Sequence, residues 1–283
     1  MTMYKTNYHS HNIFCDGKST MEDIVKVAIR EGFSHFGISS HAPVPFESKV
    51  ALKKERLEEY KTEFKRLKDK YSSEINLYLG LEIDFITDIQ EDLKGQKKEY
   101  GLDFYVGSIH HVKEHNEDID SWFIDGHDRD VYDRGLQKFF NSDIKRACSA
   151  YFNQQIQMVE KNRPDILGHC DKVYMNNAGR FFDRQTPWYE SMVRDFIQVI
   201  KENEVIVEVN TRGLYKGRCD DFYPATKWLK IMKQEGIKVT VSTDCHKDTE
   251  VGLFYKEALD TLKSIGYREV CYFDGEWKEQ LID

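Results

Sequence analysis

Histidine and carboxylate residues recur along this chain at positions that suit metal ligation. Tyr8-His9-Ser10-His11 comes first, at the end of a short extended segment, with Asp16 five residues beyond His11 and just before Gly17. Two residues apart on an extended chain, His9 and His11 point to the same side, so both imidazoles can reach one cation. His41, Glu82, His110, His111 and His169 each follow a short apolar run. Glu208 lies within another such run, and Asp244 and His246 close a further one with the same one-residue gap as His9 and His11. A mixed imidazole and carboxylate set favours zinc, manganese or iron over magnesium or calcium, which prefer oxygen ligands. A carboxylate such as Glu82 can bridge two ions, and ions about 3.5–4 Å apart are the arrangement used in two-metal phosphoryl transfer.

The elements that must position these residues are read from apolar runs at 36–39, 75–81, 104–109, 166–168, 205–209, 239–242 and 270–273. Their Val, Ile, Phe and Tyr content suits buried parallel strands, and the helical patterns between them predict a parallel sheet or barrel. Ser19 or Thr20 is placed to cap a helix over 21–31, which Gly32 stops. Residues 49–70, mixed in charge sign with Leu52, Leu57, Tyr60, Phe64 and Leu67 at roughly helical spacing, predict a solvated amphipathic helix. Residues 115–133 carry Asp118, Asp120, Asp125, Asp128 and Asp130 and predict a long loop of the kind that covers active sites.

In α/β barrels the reactive residues come from the carboxyl ends of several strands, because these ends converge on one face. Seven of the ten histidines (His9, His11, His41, His110, His111, His169 and His246) fall at predicted strand ends. His35, His115 and His127 do not, and are expected to be ordinary surface or loop residues. Adjacent strand residues face opposite ways, so one of His110 and His111 should be the ligand. Asp84 and Asp88 are expected to orient, cap or be solvated, and Cys15, Cys170 and Cys245 to be small buried thiols.

A chain of 283 residues suits a single α/β barrel domain with insertions, over 1–283. The balance of 41 basic against 49 acidic residues, a formal charge of −8, argues against a nucleic-acid partner. An anionic substrate would then need metal ions or a few placed Lys and Arg. Six widely spaced cysteines without a CxxC pair predict neither a zinc ribbon nor a disulfide framework. The N-terminus lacks the apolar core of a signal peptide and no run of about 18 apolar residues occurs, so a soluble cytoplasmic protein without a membrane partner is expected, as a monomer or small homo-oligomer.

With these residues in view, the sequence resembles the polymerase and histidinol phosphatase (PHP) superfamily. The motifs are His9-Ser10-His11, Ser40-His41-Ala42-Pro43, Gly80-Leu81-Glu82-Ile83-Asp84, Gly107-Ser108-Ile109-His110 with Gly168-His169, and Ser242-Thr243-Asp244-Cys245-His246. His41-Ala42-Pro43-Val44-Pro45, Glu208-Val209-Asn210-Thr211 followed by Gly213-Leu214-Tyr215-Lys216, and Tyr223-Pro224 are similar to the monofunctional histidinol-phosphate phosphatases. The resemblance implies a distorted (β/α)7 barrel, TIM-barrel-like, with two to three divalent ions of zinc, manganese or iron. It places His9, His11, Glu82 and Asp244 around one ion, Glu82, His110 and His169 around a second, and Asp16, His41 and His246 around a third.

The implied reaction is hydrolysis of L-histidinol phosphate to histidinol and phosphate in histidine biosynthesis, by a metal-activated hydroxide. Nucleotides, sugar phosphates or phosphotyrosine are the alternative substrates. Glu82, Asp16 and His246 are the expected catalytic residues, with Asp16 or His246 supplying a proton to the leaving alkoxide. Arg212, Lys216 and Arg180 are the expected phosphate holders, and the acid-rich 115–133 segment the expected partner of the cationic substrate groups. Some relatives carry His where this chain has Asp16, and Arg212 departs from the small residue expected there.

Overall fold

Short runs that are apolar on both faces can be buried only in a sheet covered on each side, and the amphipathic segments between them supply the cover. A computed structural model describes residues 3–114 and 119–282. Its strands are β1 (Lys5–Asn7), β2 (Phe33–Ile38), β3 (Asn76–Asp84), β4 (Phe104–Ser108), β5 (His111–Val112), β6 (Trp122–Phe123), β7 (Ile166–Leu167), β8 (Val207–Asn210), β9 (Val239–Ser242), β10 (Glu269–Phe273) and β11 (Trp277–Leu281). Seven of them form one parallel sheet in the order β1-β2-β3-β4-β7-β8-β9.

The sheet curls until its two edges meet. Ser10, beyond β1, pairs with Cys245, beyond β9, and the His11 backbone N–H donates to the Cys245 carbonyl at 2.8 Å. The side chain of Asn7 completes the seam, its Oδ1 accepting from Thr243 N at 2.6 Å and Thr243 Oγ1 at 3.2 Å. The result is a distorted seven-stranded β/α barrel, nearly closed.

Helices pack around the outside. Thr20 caps Met21–Arg30 by accepting from Asp23 N at 3.1 Å, and Gly32 follows with φ +78°, a conformation glycine adopts without the Cβ penalty. Ile24 from this helix, Phe64 and Leu67 from Leu57–Lys70, Phe196 from Pro187–Asn203 and Trp228 from Thr226–Gln234 belong to the large core between helices and sheet.

A second, smaller core of Tyr8, Tyr78, Phe104, Val106, Ile166 and Phe273 fills the barrel interior. A side chain at Gly80 or Gly37 would bring its Cβ within 2.4 or 2.5 Å of the Phe104 ring, so that ring fits only because both positions are glycine. By the two-residue alternation of a strand, Tyr78, Gly80 and Glu82 share one face of β3, as Phe104, Val106 and Ser108 do on β4. Apolar groups therefore fill the lower barrel, and polar ones stand above them.

Three expected elements take a different form. The 270–273 run lies outside the parallel sheet, in an antiparallel hairpin of β10 with β11. Asp274-Gly275, with Gly275 at φ +77°, is the turn signal behind it. The 49–70 helix begins as a 3-10 turn at Lys54–Arg56 and becomes α-helical only at Leu57–Lys70; Leu52 is instead a buried loop residue whose N–H donates to the His41 carbonyl at 3.0 Å. The 115–133 segment is not one loop. β5 and β6 form a small hairpin, and Asp128 caps a helix over Arg129–Phe140 by accepting from Asp130 N at 2.9 Å. His115 and Asp118 lie outside the described residues. Among the described residues, no helix is long and apolar enough to cross a membrane.

Candidate metal centre

At the carboxyl ends of the barrel strands the side chains converge on Glu82. It stands inside β3, two residues before the strand ends, and is almost wholly buried. One oxygen, Oε2, lies 3.2 Å from His9 Nε2, 3.4 Å from His11 Nε2 and 2.9 Å from His41 Nδ1. The other, Oε1, lies 2.8 Å from His169 Nε2 and 3.4 Å from His110 Nε2, and accepts from Ser108 Oγ at 2.6 Å. Around this carboxylate the remaining groups fall into clusters. Asp244 Oδ1 is 3.3 Å from His11 Nε2 and 3.9 Å from His9 Nε2, while Asp16 Oδ1 is 3.3 Å from His246 Nε2 and 3.7 Å from His41 Nε2. Four groups of three or more donors each lie within 4.8 Å of one another: His9 with His11 and Asp244; His9 with Glu82 and His169; His41 with Glu82 and His110; and His11 with Asp16, His41 and His246. Among the described residues, no cysteine joins these groups.

The donor set fits divalent cations. Buried polar atoms are almost always paired, yet His9 Nε2, His11 Nε2, Asp16 Oδ1 and Glu82 Oε2 are buried with no hydrogen-bond partner, and each of these residues belongs to at least one of the four donor groups. The charges reinforce this. Burial would raise the Glu82 carboxyl, but His9, His110 and His41 hold it well below the ordinary carboxylate range. Burial likewise opposes ionisation of Asp244, which His9 and Arg212 overcome. Burial works against charge on His41 too, and Glu82 and Asp16 nevertheless push it up to about 9. His11 goes the other way, lowered first by burial and then by His246 and His41.

A second layer fixes the rings. Glu208 Oε1 lies 2.7 Å from His9 Nδ1, and Asp84 Oδ1 lies 3.0 Å from His110 Nδ1 while accepting from His110 N at 2.8 Å. Carboxylates behind imidazoles set the tautomer and turn Nε2 toward the metal side. Asp244 has φ +50°, a strained backbone for a residue with a Cβ, and its carbonyl is held by Arg212 Nη1 at 2.8 Å and Tyr215 Oη at 3.0 Å. A cavity of about 220 Å³ opens beside the cluster, lined in part by Asp16, His41, His110, Asp125, Arg212 and His246.

A family model for the PHP domain matches residues 7–212, most of the chain. This chain belongs to the PHP family. PHP relatives extend over nearly its full length: a probable histidinol-phosphatase of Schizosaccharomyces pombe is 28% identical over 94% of this chain and 88% of its own, and a histidinol-phosphatase of Bacillus subtilis is 25% identical over 91% and 99%. In fold it matches a solved histidinol phosphate phosphatase from Lactococcus lactis, complexed with zinc, L-histidinol and phosphate. That match has a TM-score of 0.73 and 20% identity, covering 98% of this chain and 100% of the other.

On this PHP barrel the other sequence candidates are placed as follows. His111 lines the cavity but turns Nδ1 to Ser121 Oγ at 2.8 Å, leaving His110 as the member of the pair that meets the cluster. His127 also lines the cavity, whereas His35 is buried beside Tyr78. Cys15 sits behind the site, its Sγ 3.5 Å from His11 Nδ1. Of the expected phosphate holders only Arg212 lines the cavity. Lys216 pairs with Glu250, and Arg180 makes a two-pronged pair with Asp133, both contacts at 2.8 Å. Arg218, which the motif reasoning did not name, lines the cavity instead. Asp125 of the acid-rich segment does reach the cavity wall, whereas Lys172, paired with it at 2.8 Å, and the position of Glu208 behind His9 were missed. The carboxylate-behind-imidazole pattern could have indicated Glu208, because it alternates with Asn210 on a strand beside the cluster.

Proposed function

We propose that this protein is a metal-dependent phosphomonoesterase that hydrolyses L-histidinol phosphate to L-histidinol and inorganic phosphate, in cytoplasmic histidine biosynthesis. The observation that carries the reaction class is Glu82, one buried carboxylate within 3.4 Å of five imidazoles, two of which, His41 and His110, line a small cavity. The substrate follows from the names of the full-length relatives. His9, His11, Glu82 and Asp244 would hold one ion, Glu82, His110 and His169 a second, and Asp16, His41 and His246 a third, with zinc, manganese or iron suited to these donors. When bound, such ions activate water and neutralise phosphate oxygens.

The chain's own residues do the rest. Arg212 contributes charge at the cavity wall while holding the Asp244 carbonyl, and its remaining N–H groups suit phosphate oxygens. With the third site empty, Asp16 and His246, 3.3 Å apart at the cavity edge, would be the pair to pass a proton to the departing alkoxide. The test is phosphate release by metal-stripped protein reconstituted ion by ion, with histidinol phosphate compared against sugar phosphates, nucleotides and phosphotyrosine. A kcat/KM for histidinol phosphate at least roughly 100-fold above the others is expected. Turnover without metal, or better turnover of another ester, overturns the reading.

A further inference from the structure

The histidines of the centre differ in what stands behind their rings. His9 and His110 are backed by the carboxylates of Glu208 and Asp84. Behind His11 stands a thiol instead, with Cys15 Sγ 3.5 Å from His11 Nδ1. The same sulfur lies 3.4 Å from the Asn12 carbonyl, which takes the S–H, so Sγ is left to accept from His11 Nδ1–H.

The chain between the two residues is built to hold this contact. Cys15 N donates to the Asn12 carbonyl at 3.0 Å, and Asn12 Oδ1 accepts from Phe14 N at 3.1 Å, which makes a tight turn just beyond His11. Gly17 closes the turn against the Asn12 backbone, where a Cβ would come within 2.4 Å of Asn12 N. The turn is also tied from outside, by Ile13 N to the Ser19 carbonyl at 3.1 Å and by Lys18 N to the His246 carbonyl at 2.7 Å. Adjacent residues of one turn thus serve two sides of the cluster, Cys15 behind His11 and Asp16 beside His246 and His41.

The His11 ring needs such a partner. It stacks on His246 with centroids 4.0 Å apart and planes at 29°, and its centroid lies 4.3 Å from that of His41. Stacking fixes the plane of an imidazole but not its orientation within that plane. A half-turn about the Cβ–Cγ bond keeps the plane and puts a carbon where Nε2 faces Glu82 and Asp244. We infer that Cys15 is a positioning residue for His11: its sulfur accepts the Nδ1 proton, selects the ring orientation and tautomer, and turns the Nε2 lone pair toward the cation shared with Asp244. This rests on the metal-centre part of the reading above and not on the identity of the ester. The thiol is neutral, so it orients its ring without the negative charge that Glu208 and Asp84 bring to theirs.

The test measures zinc affinity against a competing chelator for wild type, Cys15→Ala and Cys15→Ser, with thermal unfolding in parallel. Cys15→Ala should weaken the binding that involves His11 by roughly 3- to 10-fold, the worth of one neutral hydrogen bond, and leave the ion of Glu82, His110 and His169 at wild-type affinity. Cys15→Ser, whose hydroxyl can accept the same proton, should recover most of the loss, which a mere filler of space would not. In 15N-histidine spectra of zinc-loaded protein at neutral pH, the His11 Nδ1–H should exchange with water faster in Cys15→Ala than in wild type or Cys15→Ser. Wild-type zinc affinity in a folded Cys15→Ala protein, or a Cys15→Ser protein no better than Cys15→Ala, overturns the inference. So does equal weakening of every ion, which assigns the thiol to packing, and so does a sulfur neighbour in the zinc X-ray absorption spectrum, which makes Cys15 a ligand. All of these readouts are taken without substrate, so a protein that passes them but leaves histidinol phosphate intact would refute the phosphatase reading alone.

Discussion

Glu208→Gln is the most informative single substitution, because it alters one proton while keeping the shape of the site. Glu208 is fully buried and uses both oxygens: Oε1 is 2.7 Å from His9 Nδ1, and Oε2 accepts from the His169 backbone N–H at 2.9 Å and from Asn210 Nδ2 at 3.0 Å. Glutamine has one oxygen. If it stays on the His169 and Asn210 donors, the amide NH2 faces His9, Nδ1 must accept, and the ring proton moves to Nε2, where no lone pair is left for a metal. With the amide reversed, its NH2 confronts two other donors.

Either arrangement loses a hydrogen bond to a charged group, about 1.5–3 kcal/mol, which at about 1.4 kcal/mol per factor of ten is roughly 10- to 150-fold. Partners behind ligating histidines typically contribute about 10- to 100-fold in metal affinity or activity. Activity titrated against buffered free zinc or manganese, with metal content measured by mass spectrometry, should show half-saturation shifted upward by that factor. A folded Glu208→Gln protein with wild-type metal affinity and wild-type kcat/KM would refute the tautomer argument.

Glu82→Ala should remove bound metal and phosphatase activity together, by roughly a thousandfold or more in kcat/KM if it stabilises the transition state through the ions; full metal occupancy in the variant would count against the bridging role. Dialysis against a chelator should abolish turnover, and zinc, manganese or iron should restore it, as a stopped and restarted phosphate-release assay will show. Arg212→Met should cost roughly 10- to 100-fold in kcat/KM, since a charged contact to phosphate and the support of Asp244 are lost together, whereas Arg180→Met, off the cavity and paired with Asp133, should change it less than about threefold. Gly80→Ala should lower stability by about 1–3 kcal/mol in urea unfolding, because its Cβ meets Phe104 at 2.4 Å.

The nine candidate ligands could be found in the sequence because histidine is scarce and because ends of parallel strands meet on one face, so position relative to an apolar run carried three-dimensional information. The strands were legible for the same reason; Val239–Ser242 coincides with its apolar run. What the sequence concealed depended on direction. Basic residue type could not say that Arg180 points at Asp133 and Arg212 at Asp244. Lys172 and Asp125 belong to different connections and meet only through the fold. Residues 49–56 continue the apolar spacing of a helix, yet Leu52 is buried from a loop that hydrogen-bonds to His41. The β10–β11 hairpin was hidden because a short apolar run looks alike in parallel and antiparallel strands.

The seam between β1 and β9 separates the ligands into two sets attached to different edges. His9 and His11 ride on one edge and Asp244 and His246 on the other, and the backbone links across it include the short bridge beside Asn7 and Thr243 and a bond from Lys18 N–H to the His246 carbonyl at 2.7 Å. A cation shared by His11 and Asp244 would therefore act as a clasp, and its binding energy would add directly to the work needed to prise the N-terminal stave from the barrel. Amide hydrogens along β1, the His11 N–H above all, should exchange much faster in chelated protein than in metal-loaded protein, while those in the middle of β3 and β4 should change little. Metal occupancy would then be written into the mechanical integrity of the barrel as well as into its chemistry.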